Sequence, residues 1–355
     1  MRILQICHRY FPFFGGVEEH VRQISERLAK ENEVEVCTTD SSGKLARTEV
    51  VNGVEVKRFD CYAPNNAYYF SSEMKKYLKE NSNSFDVVHA HNYHAFPALY
   101  AAQTKKGNKL IFTPHYHGRG NTFFRSLLHR PYKFFGGKIF AKADKVICVS
   151  NYEKNLILEN FGEIEGKLVL IPNGVDFQEF RALKEKKGGS KVILTVGRLE
   201  QYKGIQHLIG VLPKLETDVV LEIIGEGPYM SSLVKLAKDL SVEKRVSFFQ
   251  KLSKADVLQK YVDAGVFVLL SERESYGMTV AEALLCGTSC IVANASALIE
   301  WVDNKNCYGV DYPIDQNQLK LLIEKLMGQA TSRLNNSVLD WKDVTEKLLN
   351  VYKDT

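Results

Sequence analysis

What this sequence has little of excludes several classes of protein. Its seven cysteines form no C-x-x-C pair, and no apolar run is long enough to span a bilayer. The formal net charge of +5 is too small for a dedicated nucleic-acid binder, but it suits small anionic ligands. Met1-Arg2 leads directly into a short strand pattern at 3–7, without the features of a signal peptide. We therefore expect a cytoplasmic protein with reduced, buried cysteines.

The chain does contain an alternation of short apolar runs and helical patterns, which occurs in both halves. Its length of 355 residues fits two domains, and the alternation is typical of parallel sheets with crossover helices. We expect an α/β protein with two Rossmann-like, doubly wound domains that face each other across a cleft. Their expected bounds are 1–175 and 176–337, and a helix at about 338–355 is expected to pack back on the first. Asn52-Gly53 between two β-branched runs predicts a hairpin.

The first candidate site motif follows the strand pattern at 192–196. Gly197 and Arg198 come directly after that strand, and Lys203 precedes a helical pattern. Arginine can bind two phosphate oxygens at once, while lysine acts as a point charge. Ligands of doubly wound sheets bind beyond the carboxyl ends of the strands. The motif therefore predicts a diphosphate site at the cleft.

The second motif follows the strand pattern at 266–270. Glu274 precedes Gly277, and Glu282 lies in the helix that begins after it. The first amides of this helix, on Met278 and Thr279, suit an anion. Carboxylates accept hydrogen bonds from vicinal hydroxyls, so one glutamate could hold a sugar and the other a ribose.

These motifs, with Gly15-Gly16-Val17-Glu18 and the segment 172–176, resemble the retaining GT-B glycosyltransferases of family 4 along nearly the whole chain. The resemblance implies transfer of a hexose-type sugar from a UDP- or GDP-linked donor, with no obligatory cofactor or metal. The sequence fits this in lacking a D-x-D motif. It departs from the family pattern at Phe248-Phe249-Gln250 and at Ala295-Ser296-Ala297, where glycines are usual.

The resemblance also implies residue roles. Arg198 and Lys203 would hold the diphosphate, Glu282 the ribose and Glu274 the sugar, which His115 would also contact. The implied catalytic residues are His115, Arg198, Lys203 and Glu274. The implied donor-binding residues are Gly15, Gly16, Gly197, Arg198, Lys203, Gly225, Gly227, Glu274, Tyr276, Gly277, Met278, Thr279 and Glu282.

The acceptor side is expected in the first domain. Candidates there are His117, Arg119 and Arg125, and the segment 123–138 interleaves aromatic and basic residues. That composition suits an anionic membrane surface as well as a helix that buries its aromatics in its own domain. The acceptor could be a glycan, a lipid-linked molecule or a small molecule, and the protein could act at the cytoplasmic face of a membrane.

Four alternative interpretations are open. A GT-B epimerase would use the same nucleotide site, and a non-catalytic nucleotide-sugar-binding protein would keep the site without turnover. Gly225-Glu226-Gly227 resembles the start of a dinucleotide motif, but Met230 stands where the third glycine would be. A zinc site could be suspected from four histidines, but no cysteine has ligand spacing, and we expect no metal. The four histidines are His89, His91, His115 and His117.

Overall fold

The structure is a computed structural model that describes residues 1–13, 15–118, 135–181, 183, 189–327 and 338–355. The chain divides into two units. The first comprises Met1–Gly174 and Trp341–Thr355, and the second comprises Val175–Asp340. Within the described ranges, no helix is both long and apolar enough to cross a bilayer.

The strands and helices of the described residues alternate along most of the chain. The strands are β1 Arg2–Ile6, β2 Glu33–Asp40, β3 Thr48–Val51, β4 Val54–Asp60, β5 Val87–His91, β6 Lys109–Thr113, β7 Lys145–Cys148, β8 Leu168–Leu170, β9 Gly174–Val175, β10 Val192–Val196, β11 Val220–Ile224, β12 Val246–Phe249, β13 Val266–Leu269, β14 Cys290–Ala293, β15 Cys307–Val310 and β16 Leu339–Asp340. The helices include α1 Gly16–Leu28, α2 Ser72–Asn81, α3 Phe96–Thr104, α4 Asn151–Phe161, α5 Phe177–Arg181, α6 Ile205–Val211, α7 Met230–Asp239, α8 Lys254–Asp263, α9 Met278–Leu285, α10 Gln316–Leu326 and α11 Trp341–Asp354.

The first unit is built on an eight-stranded sheet in the order β3-β4-β2-β1-β5-β6-β7-β8. Its strands run parallel except β3, which pairs antiparallel with β4. Asn52 and Gly53 join those two strands with φ angles of 49° and 85°, as the hairpin prediction required. Every residue of β5 is buried, as expected for a central strand of a parallel sheet.

The second unit is built on a six-stranded parallel sheet in the order β12-β11-β10-β13-β14-β15. The chain continues from β10 to one side of the sheet and from β13 to the other, so the strand order reverses between these neighbours. Such a switch point leaves a crevice at the carboxyl ends of its two strands. The loops that follow β10 and β13 carry the two predicted motifs. The predicted α/β class with parallel sheets in two domains is confirmed.

The C-terminal helix α11 belongs to the first unit. Trp341 at its start is 1% exposed and Tyr352 near its end is fully buried. Lys109 Nζ donates to the backbone carbonyl of Tyr352 at 2.8 Å, and the Tyr352 hydroxyl lies 2.6 Å from His89 Nδ1. The amphipathic pattern of this helix thus packs its apolar side on the unit that contains β1.

Candidate functional site

The loop after β10 is locked against the end of β13. It contains a short 3₁₀ turn at Gln201–Lys203 and ends at Gly204, whose φ is 74°. A Cβ atom at position 204 would collide with the carbonyl oxygen of Leu270. Since only glycine permits both this φ and this approach, Gly204 brings Lys203 to the loop that follows β13.

Lys203 and Glu274 form an ion pair between these two loops. Lys203 Nζ lies 2.5 Å from Glu274 Oε1, and the two side chains are only 15% and 18% exposed. Burial lowers the pKa of Lys203, but the charge of Glu274 outweighs it, so the pKa is raised above its ordinary value. Arg198 stands nearer to solvent, with its side chain 53% exposed and Nη2 at 2.9 Å from Glu200 Oε1. The edge of the sheet therefore presents one exposed and one buried cation.

Ser296 holds the backbone of Glu274. The amide of Glu274 donates to Ser296 Oγ at 2.9 Å, and the amide of Ala297 donates to the carbonyl of Glu274 at 3.2 Å. Ser296 has a φ of 52°, a left-handed conformation that glycine adopts most easily. The departure at Ala295-Ser296-Ala297 thus supplies a hydroxyl that supports Glu274, a contact that sequence reasoning missed.

Helix α9 begins at the end of the loop that carries Glu274. Gly277 caps it with a φ of 98° and contributes no side-chain hydrogen bond, so Met278 and Thr279 form an uncapped first turn. A Cβ at position 277 would lie 3.2 Å from Trp301 Nε1, which itself donates to the carbonyl of Tyr276 at 2.6 Å. Gly277 is therefore needed both for the turn and for close packing.

Glu282 lies within α9 and is already hydrogen bonded. Its carboxylate forms an ion pair with Lys254 through Oε1, and the Tyr261 hydroxyl donates to Oε2 at 3.1 Å. The side chain is 12% exposed. Both partners come from α8, and neither was singled out from the sequence because they lie 28 and 21 residues away.

Gly225 and Gly227 follow β11 and pack against the loop after β10. A Cβ at position 225 would collide with the carbonyl oxygen of Gly197, and one at 227 with that of Leu199. The φ angles of Gly197 and Gly225 are 155° and 148°. Close backbone packing thus explains why Gly225 and Gly227 are glycines. Their contact with the donor stays a prediction.

In the first unit, Gly15 precedes α1 and Gly16 is its first residue. A Cβ on Gly15 would collide with the carboxylate of Glu18, which is 4% exposed and lies 2.6 Å from Arg9 Nη2. Gly16 has open space around the position of a Cβ. Burial alone would raise the pKa of Glu18, but the nearby charges of His8 and Arg9 outweigh burial. The pKa therefore falls below its ordinary value.

Three histidine rings meet at the carboxyl edge of the first sheet. His20 lies in α1, His91 ends β5 and His115 follows β6, and they are 1%, 0% and 6% exposed. Each offers one nitrogen within 4.8 Å of the other two. Burial lowers the pKa of His20 to about 4, and burial together with neighbouring imidazoles holds the pKa values of His91 and His115 well below the usual range.

This trio differs from the set that suggested zinc in the sequence. His89 uses both ring nitrogens elsewhere, with Nδ1 at 2.6 Å from the Tyr352 hydroxyl and Nε2 at 2.7 Å from Thr113 Oγ1. His117 stacks on His94 with ring centroids 4.4 Å apart. His20 takes part instead, although sequence reasoning did not select it.

The remaining acceptor-side candidates are Arg119 and Arg125, and both lie outside the described residues. The same holds for most of the basic and aromatic segment 123–138. At its described end, Phe135 is 45% exposed and Lys138 Nζ lies 5.7 Å from the centre of its ring.

Comparison with known proteins adds independent findings. A model described as Glycosyltransferase Family 4 matches residues 14–179, and one described as Glycosyl transferases group 1 matches residues 176–337. A glycogen synthase of Mycobacterium tuberculosis is 27% identical over 99% of this chain and 94% of its own length. An alpha-monoglucosyldiacylglycerol synthase of Streptococcus pneumoniae is 23% identical over 96% of this chain and 81% of its own.

A solved structure, Anabaena Alr3699/HepE in complex with UDP-glucose, superposes with a TM-score of 0.81 at 17% identity. The match covers all of both chains. At this identity the likeness concerns the fold.

Proposed function

The chain belongs to glycosyltransferase family 4 and has the GT-B fold, and from this premise we propose that it moves a hexose-type sugar from a UDP- or GDP-linked donor to an acceptor hydroxyl with retention of configuration. The observation that carries the proposal is the Lys203–Glu274 pair beside Arg198 at the switch point of the second sheet. A sugar diphosphate needs cations for its phosphates and oxygen acceptors for its hydroxyls, and both lie at this edge.

In this proposal the cations act on the leaving group. When the bond between the anomeric carbon and the phosphate oxygen breaks, negative charge grows on the diphosphate. Arg198 has its side chain half exposed and can fork two phosphate oxygens, while Lys203 supplies a buried point charge. Electrostatic stabilisation of this kind, from groups held in place before reaction, is usually the largest contribution to catalysis.

The other steps need no side-chain nucleophile. The acceptor oxygen forms its bond to the anomeric carbon on the face that the phosphate leaves, and the hydroxyl proton passes to a phosphate oxygen. In this proposal Glu274 contacts the donor sugar and Glu282 contacts the ribose. His115 contacts the donor sugar beside the reacting carbon. Ser296 holds the backbone of Glu274 in place before any substrate binds, which favours a role for Glu274 in positioning the sugar.

The acceptor is proposed only as a class. The two relatives named above differ in this respect, since one is named for glycogen and the other for a glycosylated diacylglycerol. Their names and the basic and aromatic segment 123–138 place a glycan or a lipid-linked hydroxyl among the first acceptors to test.

A donor panel tests the proposed function. We expect one UDP- or GDP-sugar to raise the melting temperature and to give a glycosylated glycan or lipid acceptor, with transfer persisting in EDTA. NMR of the product should show the anomeric configuration of the donor. Conversion of the nucleotide sugar without acceptor would identify an epimerase instead, and binding without any turnover would identify a non-catalytic protein. An inverted product would refute the proposed mechanism.

Glu282 offers a test of the ribose assignment. We expect Glu282→Ala to weaken UDP or GDP binding by about 10- to 100-fold, because a hydrogen-bond acceptor for charge-assisted contacts is lost. Calorimetric titration with the nucleotide alone measures this. Tyr261→Phe is the companion variant, since it removes only the hydroxyl that donates to Glu282 and should change affinity by no more than a few fold. Equal affinities of wild type and Glu282→Ala would rule out the assignment.

A further inference from the structure

The three histidines of the first unit leave ring nitrogens without partners in a buried position. The atoms are His20 Nε2, His91 Nδ1 and His115 Nε2, each of them shielded from solvent and without a hydrogen-bond partner. A buried polar atom without a partner is costly, and an unusual concentration of them in one place calls for a ligand. Here the rings that carry these atoms lie together.

The neighbouring amides orient two of these rings. Asn173 Oδ1 lies 2.8 Å from His20 Nδ1, and Gln5 Oε1 lies 2.8 Å from His91 Nε2. Because each amide oxygen accepts a hydrogen bond, the facing ring nitrogen carries the proton and the other nitrogen keeps its lone pair. Metal-binding histidines are held in this way, with the second nitrogen donating to a carbonyl or carboxylate.

The spacing also fits a small divalent cation. Zinc binds histidine nitrogen at about 2.0–2.1 Å, which puts the nitrogens of a tetrahedral site about 3.4 Å apart. One nitrogen of each ring lies within 4.8 Å of the other two, so the three nitrogens need only move closer together to hold an ion. The ring centroids are 5.0 Å apart for His20 and His115, 5.4 Å apart for His20 and His91, and 6.2 Å apart for His91 and His115.

We propose that His20, His91 and His115 form a binding site for one divalent transition-metal ion, with zinc the expected occupant and a fourth position open beside the slightly exposed His115. Three imidazoles without a thiolate suit zinc and its neighbours cobalt, nickel and copper rather than calcium or magnesium. The ion would tie α1 to the ends of β5 and β6. The site shares His115 with the proposed donor-sugar contacts, so a bound ion and the donor sugar would compete for that ring.

Direct metal titration tests the site. The whole chain, without a histidine tag, is stripped with a chelator and titrated with Zn²⁺, and with Co²⁺ as a spectroscopic probe, in the absence of nucleotide sugar. We expect one ion bound per chain, the intense visible bands of tetrahedral Co²⁺ and a rise in melting temperature. His20→Gln and His91→Asn should each weaken binding more than about 100-fold. His207→Gln, which changes a histidine of the second unit, should bind as wild type.

A variant that keeps all three histidines controls for misfolding of the histidine variants. Asn173→Ala removes only the amide that orients His20, and we expect it to weaken Zn²⁺ binding by about 10-fold. The proposal is overturned if wild type binds no stoichiometric metal, or if binding survives the loss of His20 and of His91. A failure of sugar transfer in the donor panel would leave this result untouched, because the titration uses no substrate.

Discussion

Replacing Arg198 with alanine should lower kcat/KM for sugar transfer about 100- to 1000-fold, while the melting temperature stays within about 1 °C of wild type. The stability expectation follows from exposure, because the side chain is 53% exposed and its ion pair with Glu200 is of the surface kind that contributes little. The kinetic expectation follows from the charge that develops on the leaving diphosphate, which the guanidinium would no longer stabilise.

A matched arginine separates this effect from a general loss of charge. Arg47 in the first unit is 54% exposed and pairs with Glu73 at 2.8 Å, so Arg47→Ala removes a similar group away from the second sheet. We expect its transfer rate to match wild type. Steady-state kinetics with the best donor from the panel give both values. A loss of less than about 10-fold in Arg198→Ala would reject the phosphate role.

Glu274→Gln should lower transfer at least about 100-fold and leave the affinity for UDP or GDP alone within a few fold. The amide keeps the shape of the side chain but removes the charge that raises the pKa of Lys203. In the proposed site, the same charge would accept hydrogen bonds from the sugar hydroxyls. Because the nucleotide alone lacks the transferred sugar, its affinity reports the contacts to the base, ribose and diphosphate without those to the donor sugar.

Glu222→Gln provides the control in the same unit. Glu222 is 17% exposed and pairs with Lys260 at 2.7 Å, which matches Glu274 in burial and in partner. We expect this control to transfer sugar at the wild-type rate. If Glu274→Gln and Glu222→Gln lose activity to the same extent, the effect is one of stability, and the sugar assignment is wrong.

The local features of the fold were predictable from the chain because they depend on neighbouring residues. Asn52-Gly53 permits the positive φ angles of a tight hairpin, and Gly277 starts a helix after a buried strand. The alternation of strands and helices predicts parallel sheets for the same reason, since the period of the apolar residues is read within each segment. The charged residues of the two motifs could also be located, since they directly follow strands.

The support of those charged residues was not predictable. Ser296 stabilises Glu274 from 22 positions away, and Lys254 holds Glu282 from 28 positions away. The glycines after β11 also have a packing role that no local pattern reveals, since a Cβ at either position would collide with the backbone of the loop after β10. Contacts between residues so far apart in the sequence depend on how the crossover helices bring the loops together, and no local pattern encodes that arrangement.

The sequence by itself determined the class of fold, the family and the two loops that carry Arg198, Lys203 and Glu274, because short-range periodicity and motif spacing are sufficient for these. The tertiary structure decided which side chains meet. His20, His91 and His115 come from a helix, a strand end and a loop, and they converge only because β5 and β6 are neighbours in a parallel sheet with α1 packed at their carboxyl ends. Residues so far apart in sequence come together through sheet order, and sheet order is a property of the folded chain.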